Sequence, residues 1–407
     1  MNEKRAPVVI LAAGSNITTL ALARCFRGTG IPVLCVDLDG GANLLRSARS
    51  IQETFSIGTL TSSSNRFLNR FLDLADRLKR DWGQRLLLFP TEDTGLRFCV
   101  DQFDEFKKRF VVLGDTEERD VAKFFDKGRF FSMLSGEVAV CPWTRFFDSK
   151  DMLFQSADEI PFPVVVKPAR KDIHLTFQKR FGAKLALAES FSALQRIFED
   201  WLPTDGVVLQ ELLSHKEGDE VCWCGYRSRE GRITGMTVRE LRKYPRIGGT
   251  ATFVRSEEIP RLHEYASQIL NSMDFWGICE LEFLPKQGAY KILECNARPW
   301  LQIGLALEAG LNVPLLAYSD IDGVDYNLPA GKPKENIYWM SPEYDALRCL
   351  FGDKKRRLFA NLLEWRRDLR RADDIGLWDL KEPRLVAARL SSYPGKLWKH
   401  RSLFRAR

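Results

Sequence analysis

The chain has 407 residues, 45% of them hydrophobic and 28% charged, which is enough for two or three packed units and a buried cleft between them. No uninterrupted apolar stretch reaches the 18 or so residues of a membrane span, and nine cysteines without a CxxC pair point to a reducing, cytoplasmic setting. The net charge of +7 is uneven: residues 331–407 hold 19 Lys and Arg against 10 Asp and Glu, leaving the first 330 residues at −2, so the main body is no nucleic-acid grip.

The start, through Val8–Gly14, reads as a first β-strand rather than a secretion signal, because its apolar run is short and leads into a polar loop. From there to about Gly114, apolar strands alternate with amphipathic helices. The strands are Val8–Ala12, Pro32–Val36, Leu86–Phe89 and Val111–Leu113, and the helices are Thr18–Arg27 and Phe67–Lys79. That alternation predicts a helix-covered parallel sheet, with Gly14, Asp37 and Pro90-Thr-Glu-Asp93 at the ligand-binding ends of its strands. Only Gly14 of a dinucleotide GxGxxG fingerprint is present, which sets a nicotinamide site aside.

A helical segment from Glu117 to Leu134 contains Asp126-Lys-Gly-Arg-Phe130. Strands follow at Val164–Lys167 and Val207–Leu213, then a hairpin of Glu220–Arg227 with Arg232–Arg239. A helix at Leu262–Met273 leads to a second hairpin, Gly277–Leu284 with Tyr290–Cys295. Strands with fewer helices mark an α+β unit distinct from the first. Within it, Cys222 and Cys224 share a strand face and read as small core fillers.

The densest constellation is Glu282 with Glu294-Cys-Asn296-Ala-Arg298. In an antiparallel hairpin Glu282 and Glu294 can face each other, and period-2 alternation puts Glu294, Asn296 and Arg298 on one side. Two carboxylates and an amide oxygen at one spot suit a hard cation such as Mg²⁺, or Mn²⁺, completed by phosphate and water. Arg298 beside them is suited to a γ-phosphate or a developing acyl phosphate.

These residues resemble the metal-binding hairpin of the ATP-grasp superfamily, including carbamoyl-phosphate synthase large-subunit-like proteins. The separation of 12 between the two glutamates is similar to that of biotin carboxylase-like members. The order of other motifs adds to the resemblance from Val8 to Tyr318. Lys127 and Lys167 look like the two nucleotide lysines, Gln210-Glu211-Leu-Leu213 looks like the adenine hinge with Glu211 accepting from the adenine amino group, and Glu220 matches a further acidic or ribose-facing position.

Pro90-Thr-Glu-Asp93, the basic strand Arg239–Pro245 and the loop Gly248–Thr252 resemble the carboxylate–amine ligase subgroup that includes D-aspartate ligase. Trp378–Pro383 is a distant match to that subgroup's C-terminal element. The chain departs from the family after Lys167, where Ala169–Gly182 lacks the usual glycine-rich lid; Arg170, Lys171, Lys179 and Lys184 are candidates for a charged one.

The resemblance implies an α/β fold in three parts. A Rossmann-like pre-ATP-grasp domain spans 1–116, and a two-subdomain ATP-grasp domain spans 117–325, with its lid at about 130–210 and its metal-binding part at about 211–325. A basic helical extension covers 326–407. The implied function is a ligase, dependent on ATP and Mg²⁺, that activates a carboxylate as an acyl phosphate for attack by an amine, with Arg298, Arg239 and Arg242 as the catalytic cations. A bicarbonate-activating carboxylase and a non-catalytic ATP-binding module are the alternatives. Small carboxylates and amines are the expected partners, with no nucleic acid.

In the tail, Leu358, Leu362, Trp365 and Leu369 make one apolar stripe on a basic helix. Docking on the protein's own body is the expected use of that stripe, with a peripheral membrane or protein contact as the other. His174, His215 and His263 sit in no catalytic pairing.

Overall fold

The computed structural model describes residues 5–14, 16–39, 44–60, 65–83, 85–114, 124, 126–134, 140–169, 177, 180–181, 185–199, 206–213, 216–245, 248–326, 328, 331–351 and 358–399. The lid cations Arg170, Lys171, Lys179 and Lys184, together with His174 and His215, lie outside them.

The chain begins as a five-stranded parallel sheet of β1 (Val8–Ala12), β2 (Val33–Asp37), β3 (Glu53–Ser56), β4 (Leu86–Pro90) and β5 (Phe110–Val112), in the order β3-β2-β1-β4-β5. Alternation along β1 feeds two separate cores. Val8, Ile10 and Ala12 pack with α1 (Ile17–Arg24), while Val9 and Leu11 pack with α2 (Asn65–Trp82). The buried residues of α2, Phe67, Phe71, Leu74, Ala75 and Leu78, follow the 3.6-residue period of one helix face. Two elements unforeseen from the sequence complete this unit, β3 and the helix α3 (Asp93–Asp101), which starts directly after β4. The short α4 (Phe103–Phe106) follows.

Helix α5 (Lys127–Leu134) leads to a four-stranded antiparallel sheet of β6 (Thr144–Phe147), β7 (Val164–Pro168), β8 (Ala186–Ala188) and β9 (Val207–Glu211), ordered β6-β9-β7-β8. Helices α6 (Lys150–Gln155) and α7 (Phe191–Phe198) accompany it, started by the caps Ser149 and Ser190, whose hydroxyls accept from Met152 and Ala193 N–H.

The largest sheet is antiparallel and six-stranded. It comprises β10 (Val221–Arg227), β11 (Ile233–Tyr244), β12 (Thr250–Ser256), β13 (Gly277–Lys286), β14 (Ala289–Asn296) and β15 (Tyr338–Met340), in the order β14-β13-β10-β11-β12-β15. Its apolar face carries Val221, Trp223, Cys279, Leu281 and Phe283 against α8 (Pro260–Ser272). Helices α9 (Ile303–Glu308) and α10 (Val313–Asp322) return toward the first unit.

The tail is not only helical: β15 completes the edge of the six-stranded sheet before α11 (Pro342–Phe351), α12 (Leu358–Arg371) and α13 (Pro383–Lys399). Trp365 and Leu369 of α12 pack on Phe253, Tyr338 and Met340, so half of the predicted stripe docks on the protein itself. A second anchor ties the tail to α1: Glu382, 1% exposed as a side chain, accepts from Arg24 Nε at 3.1 Å and Arg27 Nη2 at 2.6 Å. Among the described residues no helix is long and apolar enough to cross a membrane.

Candidate active site

Strands β13 and β14 pair so that Glu282 stands directly opposite Glu294 and Glu280 opposite Asn296. Cross-strand partners share a face. Alternation therefore sends Leu281 and Cys295 into the apolar core and the acids to the other side. Asn296 knits that side together, donating from Nδ2 to Glu280 Oε2 at 3.0 Å and Glu282 Oε1 at 2.9 Å. Gln302 Nε2 donates to Glu280 Oε1 at 3.1 Å.

Two lysines reach this face from other parts of the fold. Lys127, first residue of α5, donates to Glu294 Oε2 at 3.2 Å. Its neighbour Gly128 is required by packing, since a Cβ there would lie 2.8 Å from the Phe146 ring on β6. Lys167 on β7 donates to Gln210 Oε1 at 2.9 Å, and Gln210 Nε2 donates to Thr144 at 3.1 Å. Burial and the nearby Lys127 charge pull the Lys167 ammonium down to about 8, against the opposing pull of Glu294, Glu282 and Glu220.

Further acids line the same face. Glu220 receives two hydrogen bonds from Lys243 Nζ, at 2.9 and 2.8 Å, and Lys243 also meets Glu240 at 3.1 Å. Burial, with Glu282 and Glu240 nearby, pushes Glu280 up to about 8; burial chiefly, with Glu220 and Glu282 adding to it, pushes Glu240 up to about 7 although Lys243 opposes. Cys222 and Cys224, both fully buried, lie beneath these carboxyls, with Sγ 3.9 Å from Glu240 Oε1 and 4.0 Å from Glu280 Oε1. Burial drives both thiols upward, so they stay protonated.

Arg298 closes the site on the side of the parallel sheet. Its Nε donates to Asp93 Oδ1 at 2.7 Å and its Nη1 to the Pro299 carbonyl at 3.2 Å. Burial opposes its charge, but Asp93, Glu92 and Glu280 more than offset this and hold the guanidinium above its ordinary value. Sequence reasoning singled out both Asp93 and Arg298 without linking them, because they are 205 residues apart.

Several expected positions are placed elsewhere. Arg239 lies opposite Val221, on the α8 side of the sheet, where Glu257 takes its Nε and Nη2 at 2.8 and 2.9 Å. Arg242 is 5% exposed and engaged at all three nitrogens: Nε and Nη2 reach Asp345 at 3.0 and 2.8 Å, and Nη1 reaches Asp368 at 2.6 Å. Both guanidiniums are thus engaged by carboxylates away from Glu282 and Glu294.

Plain alternation accounts for Arg239, whose pairing is regular, while a pair of register shifts, between Glu240 and Arg242 and between Arg242 and Lys243, displaces Arg242. A bulge interrupts strict alternation, and it turns Lys243, which sequence reasoning passed over, toward Glu220 and Glu240. The expected loop Gly248–Thr252 is a turn running into β12, where Thr252 is fully buried and donates to Asp345 at 2.6 Å.

At the hinge, the Glu211 carboxylate accepts from Trp143 N–H at 3.0 Å and pairs with Lys286, while Leu213 is buried just beyond β9. This arrangement holds the hinge in place and leaves the Glu211 side chain already engaged. His263 accepts from Trp223 Nε1 at 3.2 Å, on the apolar face of the sheet.

No family model and no curated protein matches the chain by sequence. Solved structures do. N5-carboxyaminoimidazole synthetase from Staphylococcus aureus superposes with a TM-score of 0.61 at 13% identity, over 88% of each chain. Biotin carboxylase from Campylobacter jejuni, solved as a β-γ-ATP complex, gives 0.57 at 17% identity over 83% of this chain and 75% of its own. Phosphoribosylglycinamide synthetase from Anaerococcus prevotii gives 0.55 at 14% identity, over 82% and 79%. At such identities the likeness speaks for architecture, and the architecture is the one expected from the hairpin motif: the chain has the ATP-grasp fold.

Proposed function

We propose that the chain is an ATP-dependent carbon–nitrogen ligase that converts a substrate carboxylate to an acyl phosphate and couples it to an amine. One observation carries the reading: Glu282 and Glu294 stand opposite each other on a sheet face that Lys127 and Lys167 reach from the other elements. The solved relatives, among them a complex with MgADP and bicarbonate, support it.

The donor set fits a hard cation. Two carboxylates and an amide oxygen would leave ligand positions for phosphate and water, as Mg²⁺ favours. Glu282, Glu294 and Asn296 would hold the ion, Asn296 after turning its amide to present Oδ1. Bound there, Mg²⁺ would neutralise phosphate charge.

The chain's own groups do the remaining work. Lys127, exchanging Glu294 for a phosphate, and Lys167 balance the triphosphate. Segment 210–213 forms the wall for adenine, and Glu220 with Lys243 lies at the ribose side. Arg298, held by Asp93, directs its remaining Nη2 donor at the transferred phosphoryl group. Phosphoryl transfer depends mainly on such positioning and charge stabilisation, and the cleft supplies both. Nine free cysteines, eight of them buried, suit a reducing cytoplasm.

The test is release of ADP and phosphate against panels of amino acids and small carboxylates. Wild type should show substrate-dependent release, and Glu294→Gln should lose roughly 10²–10³ of it, the size of effect expected when a charge-stabilising group is removed. A folded protein with no magnesium-dependent affinity for ATP would end the reading. Bicarbonate activation is the second reading, suggested by the likeness to a biotin carboxylase domain solved with MgADP and bicarbonate; label from bicarbonate appearing in product would select it.

A further inference from the structure

Helix α12 has two faces with opposite habits. On one, Trp365 and Leu369 pack against β12 and β15, and Asp368, 2% exposed, is held by Arg242 at 2.6 Å. That buried ion pair fixes the rotation of the helix. The other face is thereby held outward, and it carries Phe359 at 77% exposure, Leu362 at 39% and Leu363 at 53%.

Arg366 and Arg370 continue the outward line: positions 359, 362, 363, 366 and 370 fall within one helical stripe. Neither arginine meets a carboxylate among the described residues. Leu363 and Arg366, Arg367, Arg370 and Arg371 line a shallow depression. In the sequence, Lys354-Lys-Arg-Arg357 precedes the helix, so along the chain the apolar residues fall between two basic runs.

We propose that this outward face of α12 docks on an anionic lipid surface, with Phe359, Leu362 and Leu363 entering the boundary between headgroups and acyl chains and the arginines binding lipid phosphates. A nucleic acid would account for the cations but not for three large apolar side chains held in water beside them; a lipid interface accounts for both, and for a basic face rather than a mixed polar rim. The uneven charge favours the same geometry, because a main body at −2 turns the basic tail toward a negative surface. The inference is independent of the nucleotide site.

The full-length protein is sedimented with phosphatidylcholine vesicles, with and without phosphatidylglycerol, at low and high salt. Binding should require the anionic lipid and weaken with salt. Arg366→Gln with Arg370→Gln should lower partitioning roughly thirtyfold, about fivefold for each basic residue near the surface. Phe359→Ser with Leu363→Ser should lower it by about tenfold or more. All four side chains are exposed, so the unfolding midpoint should hold in both variants. Equal binding to neutral vesicles, wild-type partitioning by either variant, or retention on heparin without any on vesicles would overturn the proposal.

Discussion

Arg242, buried, and Arg298, partly buried, are both paired with aspartates distant in sequence, yet they are finished to different degrees. Arg242 spends Nε, Nη1 and Nη2 on Asp345 and Asp368 and lies with its guanidinium carbon 4.3 Å from the centre of the Phe253 ring. Arg298 spends Nε on Asp93 and Nη1 on a carbonyl, and among the described residues its Nη2 donates to nothing. A guanidinium engaged at all three nitrogens is a fastener. One oriented by a single aspartate beside a cluster of acids is, under the proposed function, left to meet a ligand.

The comparison breaks most visibly at the fastener. Arg242→Met would leave Asp345 and Asp368, exposed by 0% and 2%, without their counter-charge, and the expected cost is about 3–5 kcal/mol. Urea denaturation measures it, with proteolysis of the tail rising in parallel. A loss below about 1 kcal/mol would mean that the pair is not fixing α11 and α12 to the sheet.

Arg298→Lys sharpens the other half. A lysine keeps the charge but not the planar fork, so turnover should fall roughly a hundredfold while the unfolding midpoint stays near that of wild type. If stability collapsed instead, Arg298 would be a second fastener.

The smallest effect is expected at Arg239, the third arginine of the original set. Its partner Glu257 is held at about 2, first by its hydrogen bonds from Arg239 and then by those from Arg255, against an ordinary value of 4.5. A carboxyl depressed in the folded state contributes stability that is complete above about pH 4.5 and is lost as pH falls through about 2. Glu257→Gln should therefore cost about 1–2 kcal/mol at neutral pH, after discounting for solvent screening, and progressively less as pH falls toward and below about 2. Denaturation curves across that window check the sign, and turnover at pH 7 should be unchanged.

What was legible follows the range of the interaction. The hairpin that carries Glu282 and Glu294 is local and legible from its turn and period-2 strands, but a register shift between Glu282 and Phe283 is what sets Glu282 opposite Glu294; unbroken pairing from the turn would oppose it to Leu293. The parallel sheet was equally readable from alternating strands and helices, although β3, Glu53–Ser56, carries only one large apolar residue and gives no strand signal.

Arg242 could not be assigned this way. Its partners lie 103 and 126 residues away, and the register shifts around it cancel the parity on which facing arguments depend. The run Gly248–Thr252 resembles a substrate loop because of its glycines, yet from Thr250 it is strand. A Cβ on Gly249 would lie 1.7 Å from the Pro245 carbonyl oxygen, so that glycine serves a tight turn into a strand. The three-residue β15 is too short for any periodicity to register.

That short strand sets a practical boundary on how the protein can be divided. Tyr338–Met340 satisfies the outer backbone groups of β12 and roofs Phe253. A version ending near residue 330 would bare an unpaired strand edge, a template for self-association, and would strip two counter-ions from a buried guanidinium at once. Shortened forms should precipitate for reasons unrelated to catalysis or lipid, which makes single side-chain exchanges the clean instrument for dissecting this tail.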